Sequence, residues 1–207
     1  RRAKEQKVNA DKVKKRVDMK RWVMSSRVGD VFEISGARFL VSKAPMRETD
    51  YTIDQLKEKV TEKGLSMDIL INLSPFNSDH LFNAKDALSI QFACEDDQEP
   101  SQQIFSAFSR TASNFFKNHK DKKKVIGVFS TYGQDIAGYM ISRFVADVYE
   151  VDVKEALEKF SKFRPPGIQN PKLKKALFET FGYQDGNVFI PPPSRPKENR
   201  KRPRGSG

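Results

Sequence analysis

Apolar residues along this chain recur in two rhythms, every second position and every third or fourth, and the two alternate. VFEISGARFLVS, Val31 to Ser42, reads as two short strands parted by Ser35-Gly36. YTIDQLKEKVTEKG, Tyr51 to Gly64, places Ile53, Leu56 and Val60 on one face and ends in glycine, an amphipathic helix with its C-terminal cap. MDILINLS, Met67 to Ser74, is a short apolar run before a turn and predicts a buried parallel strand. ALSIQFA, Ala87 to Ala93, predicts another strand. Between Pro100 and Phe116 the residues Ile104, Phe105, Phe108, Ala112, Phe115 and Phe116 have helical spacing, which assigns them to a core and not to a platform for stacking bases. KKKVIGVF, Lys122 to Phe129, predicts a third buried strand. An apolar helix, Gly138 to Tyr149, and two amphipathic helices, Val153 to Phe163 and Pro171 to Phe181, complete the series. Such alternation predicts an α/β fold: a central, mostly parallel sheet with helices on both faces. The strand–loop–helix at 125–144 then sets its loop at the carboxyl edge of the sheet, where such folds bind ligands.

The two ends break the pattern. Residues 1–20 are Lys-rich with a thin apolar stripe at Val8, Val13 and Val17, a basic helix or arm for which a solvated helix is preferred over an RNA-binding one. From Pro191 the chain is proline-rich and basic, without a core-forming pattern. The expected organisation is a basic segment at 1–20, a folded body at 21–190 and a tail at 191–207. With 207 residues, 37% of them hydrophobic, the chain can bury one sizeable core. The formal charge is +11, with much of the excess in Arg1 to Lys20 and Pro196 to Arg204, ends suited to attracting polyanions such as RNA. A lone cysteine, Cys94, excludes an internal disulfide and fits a reducing, intracellular compartment. No apolar run approaches the ~18 residues that span a bilayer, so no membrane partner is expected. The chain begins at Arg1, which leaves a longer parent protein open.

Landmarks within 21–193 resemble, in order and spacing, the RNA 5′-triphosphatase domain of metazoan mRNA capping enzymes, a member of the cysteine-phosphatase superfamily with the dual-specificity fold. They are Arg21-Trp22; GARFL at Gly36 to Leu40 with Lys43; Met67 to Ser74; Ile126-Gly127-Val128; FRPPGI at Phe163 to Ile168; Leu177-Phe178 with Phe181-Gly182; and Pro191 to Pro193. The Arg-Pro-Pro-Gly-Ile match is the most specific. The resemblance implies a phosphate-binding loop at Phe129 to Gly138, where the family reads H-C-x-x-G-x-x-R-T-G. Here the loop reads FSTYGQDIAG. Gly133 and Gly138 keep the spacing of the turn. Ser130 stands at the nucleophilic cysteine, Ile136 at the arginine, Phe129 at the histidine and Ala137 at the threonine. Asn72 stands at a family aspartate.

These replacements remove the chemistry. A serine hydroxyl has a much higher pKa than a thiol and needs an adjacent base; the histidines, His80 and His119, fall in expected polar loops. Ile136 offers none of the paired charge-assisted bonds by which arginine holds a phosphoryl group, each worth roughly 1.5–3 kcal/mol. Asp135, if turned toward the loop, would repel a dianion by roughly 3 kcal/mol per pair of unit charges at ~5 Å. Phe129, Tyr132 and Ile136 suggest a pocket partly filled with apolar groups, and Thr131 and Gln134 complete the degenerate loop. A laboratory cysteine-to-serine trap would keep the arginine, so the pattern predicts a natural pseudophosphatase.

Other residues carry weaker signals. Lys122, Lys123, Lys124 and Arg164, with Arg200, Lys201, Arg202 and Arg204 of the tail, are candidate nucleic-acid contacts. For Arg164 the alternative is a helix stop built by the following prolines and glycine. The tail's Lys197 to Arg204 resembles a nuclear localisation signal, and a solubilising tail reads equally well. Glu95 to Glu99 reads as a solvated loop without metal-ligand spacing, and no metal or cofactor is expected. Two functions remain: a non-catalytic module that binds a protein partner in nuclear RNA metabolism, touching RNA through its basic ends; and an enzyme or RNA 5′-end-binding protein that uses Ser130.

Overall fold

Ser35 and Gly36 adopt φ of 50° and 86°, the paired left-handed geometry of a tight hairpin turn, and they join β1 (Val28–Ile34) antiparallel to β2 (Ala37–Lys43). The structure is a computed structural model that describes residues 17–46, 50–76, 87–119, 123–184 and 188–189. Before the hairpin lies α1 (Met19–Met24), capped by the Asp18 side chain. After it come α2 (Ile53–Thr61), β3 (Ser66–Asn72), β4 (Leu88–Gln91), α3 (Gln102–Asn118), β5 (Lys124–Ser130), α4 (Asp135–Tyr149), α5 (Val153–Phe163) and α6 (Pro171–Thr180). Two short strands follow, β6 (Tyr183–Gln184) and β7 (Val188–Phe189), a pair the sequence pattern did not predict.

The sheet runs β1-β2-β5-β3-β4, with every pairing parallel except β1 with β2. This is the mixed, mostly parallel α/β sheet expected. Strand alternation sorts the core into two layers. Phe39, Val41, Ile69, Ile71, Ile126 and Val128 face a large cluster with Phe105 and Phe108 of α3, Phe144 of α4 and Phe160 of α5. Leu40, Leu70, Val125 and Phe129 face a smaller cluster on the other side, closed by Ile53, Leu56 and Val60 of α2. Gly127 shares that second face because Met67 Sδ and Leu70 Cδ1 leave no room for a side chain: an added Cβ would lie 2.6 and 2.7 Å from them.

Helix α2 opens on a capping box between Thr52 and Gln55, and Gly64 closes its end with φ of 69°. The parallel register sets the last residues of β2, β3 and β5 side by side, Lys43 against Ser130 and Asn72 against Phe129. The expected loop therefore does leave the carboxyl edge of the central strand. Helix α4 begins at Asp135, three residues before the position expected from the sequence.

Candidate functional site

The loop at 130–138 is buried along its whole length. Gly133 explains its path. With φ of 64°, it lies so close to the end of β2 that an added Cβ would stand 2.5 Å from the Ser42 carbonyl and 2.6 Å from the Lys43 nitrogen. The Ser130 hydroxyl accepts a hydrogen bond from the Gly133 N–H at 3.1 Å. Thr131 is fully buried, and its hydroxyl lacks a hydrogen-bond partner within bonding geometry among the described residues.

Phe129, Tyr132 and Ile136 do not share one pocket, contrary to the sequence expectation. Phe129 packs into the α2 layer and Ile136 into the main core, each at most 1% exposed. The two face different layers because Phe129 lies in the last pleat of β5 and Ile136 in the first turn of α4. Tyr132 alone faces α1, in a small cluster with Val17 and Trp22.

Asp135 also departs from expectation. One carboxylate oxygen accepts from the backbone N–H groups of Gln169 and Asn170, and the other pairs with Arg21. Its charge is met by a cation, by two dipoles and by the α4 N-terminus, so it is not a free carboxylate facing the loop. Asn72 is fully buried; its Oδ1 accepts from the Ser74 N–H and hydroxyl at 2.8 and 2.6 Å, and its Nδ2 donates to the Phe76 carbonyl at 3.1 Å. An aspartate would lack that last donor.

Arg164 is 1% exposed and braces the loop from behind. Nε donates to the Gly133 carbonyl at 2.6 Å, and Nη2 donates to Ser26 and Tyr132 carbonyls at 2.7 and 3.2 Å. Burial pushes its pKa down to about 10. Its assignment as a nucleic-acid contact is therefore corrected: the guanidinium faces backbone carbonyls inside the fold.

No family model matches the chain. It is 26% identical over 157 residues to the RNA/RNP complex-1-interacting phosphatase of Homo sapiens, covering 70% of this chain and 46% of that protein. It is 28% identical over 142 residues to the mRNA-capping enzyme of Mus musculus, covering 68% of this chain and 23% of that protein. The chain thus spans about half or less of these relatives. In fold it resembles the crystal structure of DUSP15, with a TM-score of 0.54 at 15% identity over 75% of this chain and 88% of the other. The active form of Tk-PTP gives 0.52 at 16% identity over 72% and 95%. The chain has the fold of the dual-specificity phosphatases, and in sequence it is similar to mRNA-capping enzymes and to RNA/RNP complex-1-interacting phosphatases.

Within this phosphatase-like domain the acidic run 95–99 is not simply a solvated loop. Asp96, in the β4–α3 connection, faces the loop closely enough for the Thr131 hydroxyl to favour its charged form. Burial, with Asp97 and Glu95 adding to it, outweighs Thr131 and Arg21 and pushes its pKa up to about 6. Glu99 accepts from the Tyr139 hydroxyl of α4 at 2.6 Å, and Arg143 donates to that hydroxyl at 3.0 Å. A spacing rule for metal ligands could not find this contact; only the parallel order of β3 and β4 brings it about. Among the described residues no group of His, Cys, Asp and Glu could hold a metal ion, and no helix is long and apolar enough to cross a membrane.

Lys123 and Lys124 lie at the start of β5, at the opposite edge of the sheet from the loop, and Lys124 pairs with Asp68 at 2.5 Å. Lys122, Arg200, Lys201, Arg202, Arg204 and His80 lie outside the described residues. His119 caps the end of α3, its Nδ1 2.8 Å from the Phe115 carbonyl and its ring 4.3 Å from that of Phe115.

Proposed function

We propose that this chain is a catalytically inactive phosphatase-like domain that acts as a protein-interaction module in nuclear RNA metabolism. The observation that carries the reading is Ile136: at the position of the phosphate-binding cation stands an aliphatic side chain, 1% exposed and packed into the main core. The arginines beside the loop do not replace it. Arg21 is paired with Asp135, and Arg164 gives Nε and Nη2 to backbone carbonyls, with its buried Nη1 lacking a partner among the described residues. A dianion at the loop would lack a guanidinium at position 136, the group whose paired bonds make such recognition strong.

The Ser130 hydroxyl, bonded to Gly133, has no imidazole or carboxylate as a hydrogen-bond partner among the described residues to take its proton. The nuclear and RNA setting rests on the names of the relatives, an RNA/RNP complex-1-interacting phosphatase and an mRNA-capping enzyme, and on the basic ends of this chain. Phosphate release from 5′-triphosphate RNA and from a small aryl phosphate tests the reading. The expected rate equals that of buffer, with no change on Ser130→Ala. Turnover that Ser130→Ala abolishes would establish the enzyme instead.

A further inference from the structure

Two residues at variable positions of the loop, Tyr132 and Asp135, share partners in one segment of the chain. The Tyr132 hydroxyl accepts from the Asp18 N–H at 3.0 Å, and the Arg21 guanidinium lies 4.1 Å over the Tyr132 ring while pairing with Asp135. The end of β2 holds the same segment. The Trp22 indole N–H donates to the Ala44 carbonyl at 2.9 Å. Lys43, only 4% exposed, donates from Nζ to the carbonyls of Trp22 and Ser25 at 2.7 and 2.9 Å and lies 3.7 Å over the Trp22 ring. A buried ammonium satisfied by the C-terminal carbonyls of a one-and-a-half-turn helix is a specific receptor for that helix end.

We infer that the degenerate loop and the end of β2 together form a peptide-binding socket, whose ligand is an Arg-Trp segment of this chain, residues 17–26. Tyr132 and Asp135 read the arginine, Ala44 and Lys43 read the tryptophan and the helix end, and the docked segment closes the mouth of the old phosphate site. The inference goes beyond loss of catalysis, and it stands whether or not Ser130 retains any reactivity. The latch is reversible by its construction. α1 is a single short helix, marginal alone, and its outward residues Val23 and Met24 are 65% and 81% exposed, so the segment is held by its inner face only.

The chain's single tryptophan is itself the reporter, since Trp22 is 8% exposed when docked. In the unaltered full chain, the Trp22 and Ser25 amides are expected to exchange at least 100-fold faster than those of β5 and at least 100-fold slower than in a free peptide of residues 17–27. Exchange of these amides in step with β5 would make the segment ordinary core and overturn the inference. Arg21→Glu sets a carboxylate against Asp135. The expected result is a red-shifted Trp22 emission and at least a doubled acrylamide quenching constant, with the far-ultraviolet circular dichroism retained. Adding Asp135→Asn, which keeps the acceptor for Gln169 and Asn170, should reverse the shift. A labelled peptide of residues 17–27 should then bind the Arg21→Glu chain at least ten-fold more tightly than the wild type, whose socket is filled. Equal binding to both chains, or an unshifted Trp22 in folded Arg21→Glu, sinks the proposal.

Discussion

Gly133 is where the loop touches β2 most closely, and its backbone has the positive φ that L side chains rarely adopt. Gly133→Ala meets backbone atoms of Ser42 and Lys43, which cannot rotate away as a side chain would. Strain and overpacking together predict a loss of about 3 kcal/mol or more, a fall of roughly 6–12 °C in Tm, read by thermal unfolding. Ile136 tests the other half of the site. Its side chain belongs to the core, so Ile136→Ala should cost about 2–4 kcal/mol in urea unfolding, with no change in phosphate release. Where the loop departs from the family's pattern is legible in its own ten letters, because Ser130, Ile136 and the two glycines keep the family's spacing. What those residues now do was not. Arg21 meets Asp135 across 114 positions, and no local periodicity encodes a contact made by the closing of a sheet.

At the scale of elements, strands and helices were legible wherever an apolar rhythm ran long enough: β1 to β3, α2, α3, α5 and α6 fall close to their expected spans. The β6–β7 pair escaped because two-residue strands have no rhythm to read. The β4–α3 connection escaped for a different reason. Five acidic or amide residues in a row look solvated, and only packing against Thr131 and Tyr139 buries part of the run. That packing has a pH signature. The pKa of Asp96 is about 6 in the fold against 3.8 unfolded, so between these values the folded state binds more protons and stability falls as pH rises. The penalty is absent below pH ~4 and complete above pH ~6–7. A shift of this size corresponds to roughly 3 kcal/mol for a fully desolvated group, and partial exposure reduces it to about 1 kcal/mol. Asp96→Asn should therefore stabilise the chain by about that amount at pH 7.5 and leave it unchanged at pH 4, measured by denaturant midpoints. Tyr139→Phe tests the tie on the other side of the connection. It strips the donor from Glu99 and the acceptor from Arg143, and should cost about 1–2 kcal/mol.

Across the whole molecule the charge is segregated. Residues 1–16 carry eight basic and two acidic side chains, and residues 190–207 carry six and one. Between them 24 basic side chains stand against 24 acidic ones, so the body is balanced and the +11 belongs to the ends. Within the body, Lys124 and Arg164 are engaged with Asp68 and with backbone carbonyls, which removes two of the cations expected to meet a nucleic acid. Counterion release then makes a strong statement about any RNA affinity. If single-stranded RNA binds by the ends, log K falls with log salt by about 0.7 per phosphate neutralised, and fourteen basic side chains on the ends set the upper limit of that slope. A filter-binding titration across salt concentrations should give a steep slope for the full chain, a shallower one when either end is trimmed, and loss of binding when both are. The balance of charge in the body also explains why the degenerate loop needs its own latch. On a body whose charges balance, a chemically specific segment, the Arg-Trp helix, is the ligand that Asp135, Tyr132 and Lys43 can select. RNA binding that survives removal of both ends at physiological salt would place a polyanion site on the balanced body and overturn this division of labour.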